Sequence, residues 1–272
     1  MTDPASSSDA LGSSDDETDA AFEQLLRFVV SESNKHIKVN QVARALFFFL
    51  MRAANTWQSI RTLRVHSPHD EILVVDTGAL LRCMFDAYLQ AAYIAFDKKK
   101  AAKRAQDYFD FEHIERFRWQ SKVLKYDNRL TRRVRSLETF ANVNCAVEEA
   151  YERVKYRFAE EMGKRKQDAG DSQRIRKQWY PGNLFEIAKA VGKSDEYDTL
   201  LSAFHGCVHS SASALKSSWL PVPSAEQVIM WATSIAARTA RMSVDHNKIE
   251  LSQLYSRILE LCSRPFLALE TS

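Results

Sequence analysis

The sequence predicts an all-α protein, a multi-helix bundle of long antiparallel helices, and three observations predict it. Glycine and proline number only 7 and 6 in 272 residues, so the chain has few residues with which to make the tight turns that sheet-rich folds need. Apolar residues recur at helical spacing along most of the chain. With 45% apolar and 27% charged residues there is ample surface to bury a large core, which excludes disorder throughout.

Residues 1–18 are Ser, Asp, Ala and Thr with almost nothing large and apolar, so they cannot offset their chain entropy by burial. They are predicted to form a disordered acidic tail ahead of a single helical domain over 19–272. The tail belongs to a charge asymmetry that the net +3 hides. Residues 1–23 hold seven acids and no Lys or Arg, whereas residues 98–177 hold 22 Lys/Arg against 13 acids.

A first helix is predicted over about 19–36, with Phe22, Leu25, Leu26 and Val29 as its buried stripe. A second, about 39–65, carries Val42, Leu46, Phe49, Leu50 and Ala53, and Ser67-Pro68 ends the hairpin. The third, about 70–96, opens with an Asp-Glu pair suited to a helix N-terminus and is apolar nearly all round, which makes it a central, buried helix. Charged amphipathic stretches at 98–127 and 138–166 read as outer helices joined by a basic junction at 129–135. A polar segment ends in Trp179-Tyr180-Pro181-Gly182, after which Asn183 can cap a short helix that Gly192 closes. Ser194-Asp195-Glu196 opens a helix to about 217, free of charge between Thr199 and Leu215. Ser224 with Gln227 forms a capping box for a last run, 225–263, bent near Asp245-His246.

On the third helix Arg82, Asp86 and Gln90 fall four apart and share a face. On the 194–217 helix Ser202, His205, His209 and Ser213 do the same. Buried charges need partners, so the economical arrangement sets Arg82 and Asp86 against His205 and His209, either as a structural network or as a catalytic or ligand site. If Asp86 neutralises a buried guanidinium, its replacement by alanine is expected to cost about 3–5 kcal/mol.

These residues carry a resemblance. Leu80-Leu81-Arg82-Cys83-Met84-Phe85-Asp86, Tyr197-Asp198-Thr199-Leu200-Leu201-Ser202 and Val208-His209-Ser210, with Trp179 and the Gly192 helix end between them, resemble a widespread bacterial all-helical family of unknown function over about 70–220. That family's acid is usually Glu, so Asp86 is one methylene shorter. The resemblance implies the fold and the choice of residues; it implies no reaction, though it admits a role in stress or phage defence.

Other chemistries find little support. His205 and His209, or Asp110 and His113, fall at ligand spacing on a helix, but the second Glu-x-x-His and further acids of a di-iron bundle are missing, so no metal is expected. The Arg-x(4–6)-His marker of one class of helical ribonucleases occurs as Arg61 with His66, Arg64 with His69 and Arg241 with His246, against about 1.7 matches expected by chance. Gly-x-Gly-x-x-Gly, P-loop and Gly-x-Ser-x-Gly patterns are absent, so no cofactor is expected. Cys83, Cys145, Cys207 and Cys262 are too scattered for a zinc site or a disulfide framework and read as reduced thiols. With no leader and no long apolar run, the expectation is a cytoplasmic protein without a membrane partner.

The basic middle offers Arg132, Arg133, Arg135, Lys164, Arg165, Lys166, Arg174, Arg176 and Lys177 to a phosphate backbone, with Trp179 and Tyr180 available to stack. Its partner is then nucleic acid or an acidic protein. The function expected is a helical interaction or ligand-binding module linked to nucleic acid; the alternative is a metal-independent ribonuclease or other hydrolase using Arg82, Asp86, His205 and His209.

Overall fold

A computed structural model describes residues 12–66, 71–160, 175–208 and 224–264. Among them are ten α-helices: α1 Gly12–Asn34, α2 Gln41–His66, α3 Glu71–Phe96, α4 Ala101–Lys125, α5 Arg129–Arg135, α6 Glu138–Val154, α7 Leu184–Ala190, α8 Ser194–Val208, α9 Ala225–Asn247 and α10 Gln253–Cys262. A 3-10 turn, Lys155–Phe158, follows α6, and the extended backbone amounts to one isolated bridge, Ala159 to Ile175. The all-helical class is as predicted. The first helix starts at Gly12 rather than near 19, and α6 gives way to the 3-10 turn well before 166. The expected bend near 245 is a break: Lys248 adopts a left-handed conformation that closes α9.

The chain divides into two compact units, Met1–Ala101 with Leu184–Ser272, and Ala102–Asn183. In the first, α9 packs on α1, α2, α3 and α10, and α3 packs in addition on α7 and α8. Ala232, Ala236, Ala237 and Ala240 of α9 are fully buried, as are Leu81, Met84, Phe85, Leu89 and Ile94 of α3, the helix it packs on. The predicted stripes of α1 and α2 are buried as expected. Both halves of the Ser224–Gln227 capping box are made. Gly192, at φ +70°, ends α7 where the amide of Lys193 reaches back to the carbonyl of Ala188, 2.7 Å away.

The second unit is held by α4 against α6 and the segment after it. The rings of Phe117 and Tyr151 stack at 3.9 Å, and Phe111 meets Phe158 edge-on. Arg157 forks onto Asp107 and Asp110. Arg118 donates to the carbonyls of Ile175 and Arg176, and its guanidinium lies over Phe111. Just beyond α4 the chain is pinned again. The Thr131 hydroxyl donates to the carbonyl of Tyr126 at 2.7 Å, Asn128 and Thr131 form a capping box, and Arg135 donates to Asp127 at 2.8 Å. The end of α4 and the start of α5 thus form an ordered tip.

Candidate functional site

Arg82 and Asp86 are one helical turn apart on α3 and pair side-on, Nε to Oδ1, at 3.0 Å. The Arg82 guanidinium is buried and lies 4.9 Å from the ring centroid of Tyr197 on α8. Its Nη1 has no hydrogen-bond partner among the described residues. Asp86 is not buried as expected: 31% of its side chain is exposed, and it shares a flank of α3 with exposed Cys83 and half-buried Gln90, at i, i+3 and i+7. The polar stripe therefore lies on a partly exposed flank of α3. Burial pushes the Asp86 carboxyl from 3.8 up to about 6, against the opposing pull of Arg82 and of Arg52 on α2. The helices carrying the two predicted stripes do meet, as α3 against α8. The side chains of Ser202 and His205, and the whole of His209 and Ser213, lie outside the described residues.

The spacing of the sequence did not single out a second pair beside the first. Glu196, in the first turn of α8, accepts from Arg238 of α9 at 2.6 Å and from Lys193 at 2.7 Å, with both members of the main pair over nine-tenths buried. The Arg238 guanidinium lies 4.6 Å from the ring centroid of Tyr88 on α3. Two Arg–Tyr stacks thus run in opposite senses: α3 gives an arginine to the α8 tyrosine and a tyrosine to the α9 arginine. The signal that could have found Arg238 resembles the one that found Arg82, an arginine set in a largely apolar stretch of helix.

A family model for a family of unknown function, DUF5677, matches residues 43–221, about two-thirds of the chain. The chain belongs to this family. The stretch shared with DUF5677 runs from α2 through α8 and so contains Arg82, Asp86, Glu196 and Tyr197, whereas α9 with Arg238 lies beyond it. No curated protein and no solved structure matches the chain.

The other sequence-predicted residues of this DUF5677 member divide into surface and interior. Arg132 and Arg133 are exposed, and Arg135 is half-buried against Asp127 and the carbonyl of Leu124. Lys177 is exposed. Arg176 instead turns inward, stacked over Phe158 and donating to the carbonyl of Arg157. Trp179 and Tyr180 are buried against each other, with Tyr108 beside Trp179, so neither ring is available to stack on a base. Lys164, Arg165, Lys166 and Arg174 lie outside the described residues. Asp110 is bound to Arg157 and Gln106, and no cluster of three metal-ligating side chains occurs among the described residues. Of the arginines in the ribonuclease-like pairs, Arg61 is engaged by Asp19 and Glu23. No described helix is long and apolar enough to cross a membrane. A groove of about 290 Å³ between α1 and α2 is lined by Leu26, Val30, Met51 and Trp57, together with the Glu23 that holds Arg61.

The raised Asp86 carboxyl has a consequence for stability. The folded protein holds this proton up to about pH 6 and the unfolded chain only to about 3.8, so stability is lost as pH rises through that interval. Asp86→Asn is expected to match the wild type below pH 4 and to be more stable by about 1–2 kcal/mol above pH 6, a figure reduced for the solvent that reaches the side chain. Urea unfolding across pH 3.5–7.5 checks it, and a less stable variant at neutral pH would show that the ion pair with Arg82 outweighs burial.

Proposed function

We propose that this protein is a helical interaction module that binds nucleic acid along the basic tip formed by α4 and α5. The observation that supports it is the charge of that tip: between Trp119 and Ser136 stand Lys122, Lys125, Arg129, Arg132, Arg133 and Arg135, against Asp127 alone. Most of these cations are exposed, and hydrogen bonds from Thr131, Asn128 and Arg135 give the loop that carries them a fixed shape. A polyanion meeting such a surface releases counterions, and affinity becomes a steep function of salt.

The test is a filter-retention assay of the full chain with pooled RNA and DNA, scoring cleavage in the same samples. With four or five phosphates neutralised, affinity is expected to fall roughly 50- to 500-fold between 50 and 200 mM salt. Arg132→Glu with Arg133→Glu should weaken binding about 100-fold across all sequences. Retention insensitive to salt and to these substitutions would overturn the proposal.

One observation favours a second reading, a hydrolase: Asp86 is a partly exposed carboxyl that burial pushes up to about 6, next to a buried guanidinium. Cleavage that appears with an apparent pKa near 6 and is lost in Asp86→Asn would support it; retention without cleavage supports the interaction module.

A further inference from the structure

We infer that the tip of the second unit selects single-stranded over duplex nucleic acid, stacking unpaired bases on Trp119 and Tyr126; the inference rests on the nucleic-acid reading of the same tip. Trp119, Lys122 and Tyr126 stand at i, i+3 and i+7, and the α4 hydrogen-bond ladder continues to the amide of Tyr126, which donates to the carbonyl of Lys122. The three side chains therefore share one face, with the two rings about 10 Å apart along the axis. Both residues are exposed, 54% for Trp119 and 53% for Tyr126. Trp119 is steadied from behind by the edge of Phe140 on α6, and Lys125 stands 5.7 Å from the Tyr126 ring centroid.

This arrangement alternates flat apolar faces with cations, and each half of it fits a different part of a nucleotide. The cations suit phosphates of any nucleic acid. The rings suit only bases whose faces are free, because a duplex stacks its bases on each other and presents nothing but phosphate, sugar and groove edges. A second copy of this chain does not fit, since it would bring the same six cations against their like. An acidic peptide would satisfy the cations and leave the rings in water.

The experiment is fluorescence anisotropy of the full chain with a labelled 20-residue single strand, the matching duplex, polyglutamate and anionic vesicles at one salt concentration. The single strand is expected to bind at least 10-fold more tightly than the duplex. Tyr126→Ala and Trp119→Ala are each expected to cost about 10-fold for the single strand and little for the duplex, and Tyr126→Trp to keep the wild-type affinity. Circular dichroism of each variant guards against loss of the fold, and Tyr126→Trp keeps the test valid if Tyr126→Ala unfolds the tip. Equal binding of strand and duplex, unaffected by the ring substitutions, would overturn the inference and leave the backbone-binding proposal standing. Binding of polyglutamate or vesicles in preference to both nucleic acids would overturn the two together.

Discussion

Replacing Glu196 by alanine is expected to destabilise the protein by about 3–5 kcal/mol, the range found when one partner of a buried ion pair is removed. Glu196 and Arg238 are 6% and 8% exposed, and Glu196 gives one oxygen to Arg238 and the other to Lys193. Without the carboxylate, a guanidinium packed between α3, α8 and α9 loses the charge that offsets its desolvation. The tyrosine face of Tyr88 compensates in part only, since a cation over a ring is worth about 2 kcal/mol even when desolvated. Urea unfolding at pH 7 measures the loss. The double substitution Glu196→Leu with Arg238→Met is expected to recover most of it, because neither charge is then buried. A cost under about 1 kcal/mol for Glu196→Ala would mean that water reaches the pair.

Trp57→Ala is expected to cost about as much, 3–5 kcal/mol, by a different route. The indole is 1% exposed and meets the ring of Phe22 edge-on at 5.2 Å, while its Nε1–H donates to the Thr233 hydroxyl at 2.9 Å. One side chain on α2 thereby fastens α1 and α9 to it, and truncation opens a cavity in contact with all three. Trp57→Phe separates the contributions: it keeps most of the packing, gives up the hydrogen bond and should cost about 1–2 kcal/mol. Thermal denaturation of the two variants side by side checks the ordering, which fails if phenylalanine is as damaging as alanine.

Much of the scaffold was legible because it depends on short-range spacing. The stripe from Phe22 to Val29, that from Val42 to Ala53 and the Ser224–Gln227 box each follow from residues within one or two turns of one another. Arg82 was visible for the same reason, as a charge among apolar neighbours. Glu196 was not, because an acid in the first turn of a helix is explained by the helix dipole alone, and its partner stands 42 residues away. The openness of Asp86 depends on which flank of α3 its neighbours leave uncovered, a property of packing that periodicity does not contain. Trp179 and Tyr180 were misread because they precede Pro181-Gly182 and look like loop residues, whereas the chain there folds back onto α4. The end of α9 was displaced because lysine, not glycine, takes the left-handed position at 248.

The second unit interrupts the first in the chain, entering after α3 and leaving before α7, and this fixes an order of events on the ribosome. The partners α2 and α3 emerge complete by Phe96, yet α9, which covers both, begins at Ala225. At 5–20 residues per second, roughly 130 residues take about 6–26 s to synthesise. Throughout that interval the apolar faces of the first three helices await their cover, while residues 102–183, contiguous in the chain, can fold at once. A nascent chain stalled before Ala225 should therefore engage holdase chaperones, and one stalled beyond Asn247 and clear of the exit tunnel should release them.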